Sequence, residues 1–243
     1  MPGENIYDPK FVTRLFNEMS RTYGAVNVVS SFGFCIWWRR KCLRQAQLKP
    51  GMQVLDLMSG MGELWPGITR RIQPAGGIRG IDLSPEMCRR AAHNADKSRA
   101  AGVGVEIIQT DALNSDLADA SADALVCSFG LKTLNAQQQE LLAREVCRVL
   151  KPGAPFSFIE ISVPPNSLLR LPYMFYVTHM IPLIGRIFLG NPSNYRCLST
   201  YTTAFGNTAA FARVLREQDL IVEEYSDFFG CATGIKGSRP AAR

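Results

Sequence analysis

The sequence has no C-x-x-C pair, and its seven cysteines (35, 42, 88, 127, 147, 197 and 231) are scattered singly. This spacing argues against a disulfide framework and against the Cys/His ligand pattern of structural zinc. The thiols read as free groups of a reducing, intracellular protein, most of them filling core space, and no metal site is expected. A contiguous basic stripe interleaved with aromatics is also missing, which speaks against nucleic acid as a partner. The positive residues come in short runs, such as Arg39-Arg40-Lys41, Arg70-Arg71 and Arg89-Arg90, spread over several expected helices. The net charge of +6 therefore reads first as solvated helix faces and second as attraction to an anionic membrane or an acidic substrate. At the N-terminus, "MPGENIYDPK" has no basic region leading into an apolar one, so no secretory signal is read. The most apolar window, 171–190, is broken by two prolines, a histidine and an arginine. It makes a poor membrane span and a better lid or membrane-touching segment. A cytoplasmic protein is expected.

What is present is a globular composition, 47% apolar and 20% charged, over 243 residues. That is long enough for one large domain. Asp8-Pro9 opens an amphipathic helix that Gly24 is expected to end, and a second helix is expected over 35–47. After Pro50-Gly51, short apolar runs alternate with helical stretches. Strands are expected at 53–57, 77–82, 105–109, 123–129 and 155–160, with helices from about Glu63, from Ser84, from near Asn135, and a short piece after 109. This alternation predicts a parallel sheet covered by helices on both faces. A capped helix over 207–220 and two further strand-like runs predict an antiparallel addition at one edge. One domain is read: a helical cap (1–50), a cofactor-binding core (51–163), an insertion (164–205) and a closing helix with strands (206–243).

The stretch "VLDLMSGMGELW" ends an apolar strand in an acid, Asp56, and a turn with Gly60 and Gly62. Glycine lets a ligand approach the backbone, and the following helix offers free N–H groups. The dinucleotide pattern requires a third glycine where Trp65 stands, so a nicotinamide oxidoreductase is disfavoured. Asp82 ends the second strand, 22 residues after Gly60, where a carboxylate accepts from a ribose diol, and Asp111 ends the third, within reach of an adenine amine. One nucleoside without a pyrophosphate, met by three strand ends in order, describes S-adenosylmethionine.

With these residues in place, the sequence resembles class I S-adenosylmethionine-dependent methyltransferases. It resembles most specifically the ubiquinone/menaquinone-biosynthesis C-methyltransferases, over most of the chain. The resemblance is carried by "LFNEMSRTYGAVNVVSSFGFCIWWRR" with Tyr23 and Asn27, by "VLDLMSGMGEL", "GIDLSPEM", "TDAL" and "DALVCSFGLKTL", and by "REVCRVLKPGAPFSFIEIS" and the terminal "GCATGIKGSRP". It implies an α/β, Rossmann-like, doubly wound seven-stranded sheet, mostly parallel with an antiparallel C-terminal strand, plus an N-terminal helical cap and a lid insertion. Three positions depart from the family pattern: Met58 stands for a glycine or small residue, Gly24 for an aspartate, and Lys132-Thr133 for Arg-Asn.

The cofactor contacts expected are Asp56, the backbone from Ser59 through Gly60 and Met61 to Gly62, Asp82 for the ribose, and Asp111 with Ala112 for the adenine. Leu83 and Met87 are expected around the base, Ser128 and Phe129 on the methionine side, and Tyr23 at the amino-acid end. Methylation at carbon needs a cation or a base beside a deprotonated ring hydroxyl. Lys132 is the first choice for the cation, against a solvated lysine, and His179 is a candidate base, against a hydrogen-bonded lid histidine. Glu160, Tyr195 and Arg196 are further candidates, the last two for orienting an acceptor oxygen, while His93 reads as surface. Tyr173, Phe175, Tyr176, Met180, Ile184 and Phe188 would wall an apolar tail, or simply pack a core. The expected partner is an apolar small molecule, a quinone-like ring or a specialised metabolite. Oxygen or nitrogen methylation of a natural product or lipid head group, and a fold without methylating activity, remain alternatives. Membrane contact through 171–190 and pairing with a second copy are left open.

Overall fold

The structure is a computed structural model that describes residues 5–188 and 191–241. Positions 1–4 of the N-terminal stretch and 189–190 of the apolar window lie outside the described residues. Helix α1 (Pro9–Met19) begins where Asp8 accepts from the N–H groups of Lys10 (2.8 Å) and Phe11 (3.3 Å), and it buries Phe11, Leu15 and Met19 on one face. It stops at Met19, before the expected Gly24, which instead lies in the first turn of α2 (Tyr23–Ser30). The glycine serves packing: a Cβ there would stand 3.2 Å from Met61 Cε. Helix α3 (Phe34–Gln45) completes the cap.

The alternating region yields β1 (Gln53–Leu57), α4 (Trp65–Ile72), β2 (Gly77–Asp82), α5 (Pro85–Ala100), β3 (Gly104–Gln109), β4 (Ala124–Ser128), α6 (Ala136–Val149) and β5 (Pro155–Ile161). Ser84 accepts from Met87 N–H to start α5, and Asn135 and Gln138 form a reciprocal capping box at α6. The short helix expected after β3 is replaced by turns. Side chains of α6 satisfy that backbone instead: Glu145 accepts from Ser115 N–H (3.2 Å), and Arg148 donates to the carbonyls of Leu117 (2.6 Å) and Ser115 (3.0 Å). Beyond β5 come α7 (Ser167–Phe175), a π-helical turn over Tyr176–Met180, α8 (Ile181–Ile187), α9 (Pro192–Phe205), α10 (Ala209–Glu217), β6 (Ile221–Asp227) and β7 (Ala232–Ser238).

The strands form one seven-stranded sheet in the order β3-β2-β1-β4-β5-β7-β6, parallel except for β7, which is antiparallel to both neighbours. One face packs Leu55, Leu57, Leu125, Phe156 and Phe158 against α6 and α10. The other packs Val54, Ile78 and Val126 against α4 and α5. Burial on both faces explains why the central strands are mostly apolar, with Ala124–Cys127 an unbroken apolar run. Strand order reverses between β1 and β4, and such a switch point opens a crevice beyond the carboxyl ends of the strands.

Candidate active site

That crevice is a pocket whose wall includes Ser59, Gly60, Asp82, Asp111 and Ser128, one contribution from each of the first four strand ends. The loop after β1 is held by its own chain. Ser59 N–H donates to Ile81 carbonyl (2.8 Å), and Gly60 N–H donates to Asp82 Oδ2 (2.8 Å). Asp82 Oδ1 accepts from Ser84 N–H (2.9 Å), so both carboxylate oxygens are fixed and each keeps a lone pair for a ligand hydroxyl. Burial pushes the Asp82 carboxyl up to about 6, with Glu63 adding to the rise, although the two N–H donors oppose it. Asp111 Oδ1 accepts from Leu113 N–H (2.9 Å), which sets that carboxylate at the pocket wall. Leu83, Met87, Ala112, Phe129 and Tyr23 line the same space.

Three of the expected cofactor contacts lie behind the wall. Asp56 is buried with Oδ2 accepting from Trp65 Nε1 (2.9 Å). Burial raises its pKa well above the ordinary value. A Cβ at Gly62 would collide with the Trp65 ring, as would one at Gly80, so these glycines make room for the indole. Met61 turns its carbonyl to Asn94 Nδ2 (2.9 Å). Trp65, which stands at the third position of the glycine pattern, is thus the plug that shapes the loop from beneath. Met58 carries φ +52, a left-handed conformation that a side chain adopts at a cost, and its side chain packs where Gly130 leaves no room for a Cβ. This geometry is the physical reason a glycine is at home at position 58.

Sequence reasoning missed Arg39 and Glu63. Arg39 belongs to a run that reads as a solvated face, yet it lines the pocket and pairs with Glu63 at 3.0 Å. Its Nε is buried with no partner among the described residues. An unpaired guanidinium N–H here suits a ligand carboxylate. An acid directly after the second glycine of the turn is the readable signal for Glu63.

A second, apolar cavity lies between the cap and the segment 164–205, lined by Trp38, Tyr173, Tyr176 and Tyr195 among others. Tyr23 and Phe129 line both cavities and form their common wall. Phe129 has φ +66, and this turn aims its carbonyl at Lys132 Nζ (2.9 Å). Lys132 faces the second cavity and forms a buried ion pair with Glu160 Oε1 at 2.7 Å. Glu160 is further tied by the N–H groups of Lys132 (3.2 Å) and Ile161 (2.8 Å). The solvated-lysine alternative is therefore corrected: a charge this buried persists only when paired. Tyr195 is buried, with its hydroxyl 2.8 Å from that of Thr22. Trp38 Nε1 is buried without a hydrogen-bond partner among the described residues.

Other expected residues fall elsewhere. His179 is exposed, its ring stacked on Phe175 and its Nδ1 3.1 Å from the Phe175 carbonyl, so it does not reach the cavity. Arg196 is exposed on α9. Phe175 and Phe188 face solvent, Ile184 packs against the α1–α2 cluster, and Tyr173 and Tyr176 do line the cavity.

A switch-point pocket with an acid at the second strand end and no third glycine fits an S-adenosylmethionine-dependent methyltransferase, and the family match assigns the chain to that class. The chain belongs to the ubiE/COQ5 methyltransferase family, whose model matches residues 4–238. It is similar to the demethylmenaquinone methyltransferase of Thermus thermophilus, 30% identical and covering 93% of this chain and 100% of the relative. It is also similar to that of Desulfitobacterium hafniense, at 28%, with 94% and 89% covered. Among solved structures it shares the fold of a SAM-dependent methyltransferase from Aquifex aeolicus, with TM-score 0.58, 18% identity, and 82% and 88% covered. It likewise shares that of geranyl diphosphate C-methyltransferase from Streptomyces coelicolor, with TM-score 0.55, 13% identity, and 83% and 76% covered.

Proposed function

We propose that this chain transfers a methyl group to a ring carbon of a quinone-like acceptor carrying an apolar tail. The observation that carries this reading is the shared wall: Tyr23 and Phe129 separate a polar pocket with strand-end acids from an apolar cavity lined by Lys132, whose ammonium is held from behind by the buried Glu160. The demethylmenaquinone names of the relatives support the acceptor class. Seven free cysteines suit a reducing cytoplasmic setting.

The residues present fit S-adenosylmethionine. Asp82 holds the ribose hydroxyls, Asp111 and Ala112 meet the adenine edge, and Leu83 and Met87 pack on the base. Arg39 Nε, buried and unpartnered, takes the carboxylate, while Glu63 and Ser128 stand on the amino-acid side. When bound, the cofactor supplies a methyl group already activated by a sulfonium. The protein then contributes alignment, which lowers a barrier by roughly 7–11 kcal/mol. In the second cavity the acceptor hydroxyl gives its proton to solvent, and Lys132, held charged by the buried Glu160 behind it, stabilises the ring oxyanion. The charge delocalises to the neighbouring carbon, which becomes the nucleophile. After methylation that carbon loses its proton to solvent, and the ring oxygen regains one from solvent. Trp38 Nε1 offers a donor to the second ring oxygen. Tyr195, tied to Thr22, holds the lid over the cavity.

Incubation with methyl-labelled cofactor and a short-tailed naphthohydroquinone tests this reading. A carbon-linked label located by NMR is the expected product. A label on oxygen would assign oxygen methylation instead, and absence of transfer to any quinol would overturn the acceptor class.

A further inference from the structure

The large apolar side chains that stay exposed are gathered on one side. Among the described residues all but Leu141 and Ile221 lie on the α2–α3 corner, on the segment α7–α8, or at the β6–β7 tip. Phe32 and Phe229 are 79% exposed and Leu168 is 85% exposed. These segments touch. The Phe32 and Tyr176 rings lie 5.9 Å apart, those of Phe34 and Phe228 lie 4.6 Å apart, and Tyr173 donates to the Cys231 carbonyl at 3.3 Å. Phe32, Phe34, Tyr176 and Phe228 also line the apolar cavity, so the patch is the rim of its mouth. A dissolved monomer seldom shows a contiguous apolar patch of this kind without a use for it.

Two further features give the patch a direction. Phe228 and Phe229 both sit in the left-handed region, with φ 45 and φ 55, so the hairpin spends backbone strain to present two adjacent rings. Beside the rim stands Trp37, whose Nε1 donates to Asp227 (3.0 Å) while the Arg44 guanidinium lies 5.0 Å over its ring. Trp37 then opens onto a shallow groove lined by Arg40, Arg44, Arg70 and Arg71. None of these four arginines is ion-paired to a carboxylate among the described residues. The order is an apolar rim, an amphipathic indole, and then uncompensated cations, which matches the depth profile of an interfacial membrane contact. No helix among the described residues is long and apolar enough to cross a membrane, so the contact is peripheral.

We propose that this face docks on an anionic lipid bilayer, with the phenylalanine tip and the outer face of α7 in the interfacial layer and the four-arginine groove on anionic head groups. The mouth of the cavity then opens onto the bilayer, and an apolar acceptor enters without crossing water. That last step rests on the acceptor reading above; the docking does not.

The test is sedimentation of the full chain with vesicles of phosphatidylcholine alone or mixed with phosphatidylglycerol. The protein is expected to sediment with the mixed vesicles and to be released by salt. Leu171 is an exposed residue of α7, and Phe229→Gly with Leu171→Ser is expected to weaken binding at least tenfold, by removing two inserted apolar groups, with no drop in melting temperature. Arg44→Glu with Arg70→Glu is expected to weaken binding by roughly fivefold or more per arginine, on anionic vesicles only. Both double variants should keep wild-type methyl transfer to a short-tailed, water-soluble hydroquinone. The proposal is overturned if the wild-type protein stays in the supernatant with both vesicles, or if both double variants sediment like it. It is also overturned if sedimentation velocity shows a dimer that Phe229→Gly with Leu171→Ser dissociates, which gives the face to a second copy. Failure of the wild-type protein to methylate the soluble hydroquinone would strike the acceptor reading and leave the vesicle result standing.

Discussion

The two cavities that meet at Tyr23 and Phe129 are built by opposite means. On the cofactor side, strand ends and backbone N–H groups hold each polar side chain: Asp82 is gripped at both oxygens by Gly60 and Ser84, and the loop is pinned to β2 through Ser59. On the side proposed for the acceptor the walls are mostly helices, one of them carrying a π-helical turn at Tyr176–Met180, and the charged group lining the cavity is Lys132, backed by Glu160. A π-bulge often marks functional, adaptable helices. The first cavity is thus preorganised for one ligand, while the second keeps one fixed charge pair within an adaptable apolar sleeve.

The largest effect should come from the acceptor side. Lys132→Met strands Glu160 as an unpaired buried charge, and should cost about 3–5 kcal/mol of stability in urea denaturation. Adding Glu160→Leu should recover most of that loss while leaving methyl transfer abolished. If the single variant were as stable as the wild type, the pair would be no anchor and the contrast would fail. Next, Asp82→Asn should weaken S-adenosylmethionine binding in calorimetry by about 2–3 kcal/mol, roughly 30- to 150-fold, because hydrogen bonds to a charged group are lost. Binding of an apolar quinone analogue should stay unchanged. Equal loss on both sides would merge the two cavities into one cooperative unit.

A pH series sharpens the same point. Burial pushes the Asp82 carboxyl up to about 6, and the ribose contact proposed for it uses the ionised form. Cofactor affinity should therefore fall as pH drops below about 6, approaching tenfold per unit, while quinone-analogue binding stays flat. For the fold the sign is reversed. The native group holds its proton more tightly than the unfolded chain, so this group favours folding at low pH, and that contribution is lost as pH rises from near 4 through about 6. The smallest effect is expected at the rim. Phe229→Gly removes left-handed strain of about 1–2 kcal/mol, less about 0.5–1 kcal/mol for glycine entropy, and should raise stability by up to about 1.5 kcal/mol in thermal unfolding.

Much of the fold was legible because its signals are local. Short, mostly apolar runs alternating with helical stretches mark the parallel strands, and Asp8-Pro9, Ser84-Pro85 and Asn135 mark helix starts through side chains that reach only two or three residues ahead. The first helix was misjudged at its end, since Gly24 answers to Met61, a contact set by tertiary packing. In the site, the acids at strand ends were readable because chain order and strand direction place them together. Arg39 was not, because nothing in its basic run distinguishes the arginine that turns inward from the neighbours that do not. Conversely, the lid histidine, His179, sits among aromatics in sequence, but its helical phase points it outward onto Phe175.

The linear order of residues was enough to set the alternating strands and helices, the glycine bend and the sequence of strand-end carboxylates, since each depends on neighbours a few positions away. Folding alone decided that Lys132 meets Glu160, that Trp65 occupies the space left by Gly62 and Gly80, and that exposed phenylalanines from distant segments gather at one mouth. Those outcomes turn on side-chain volume, helical phase and the free energy of a buried charge. Such quantities exist only once separate parts of the chain are packed against each other.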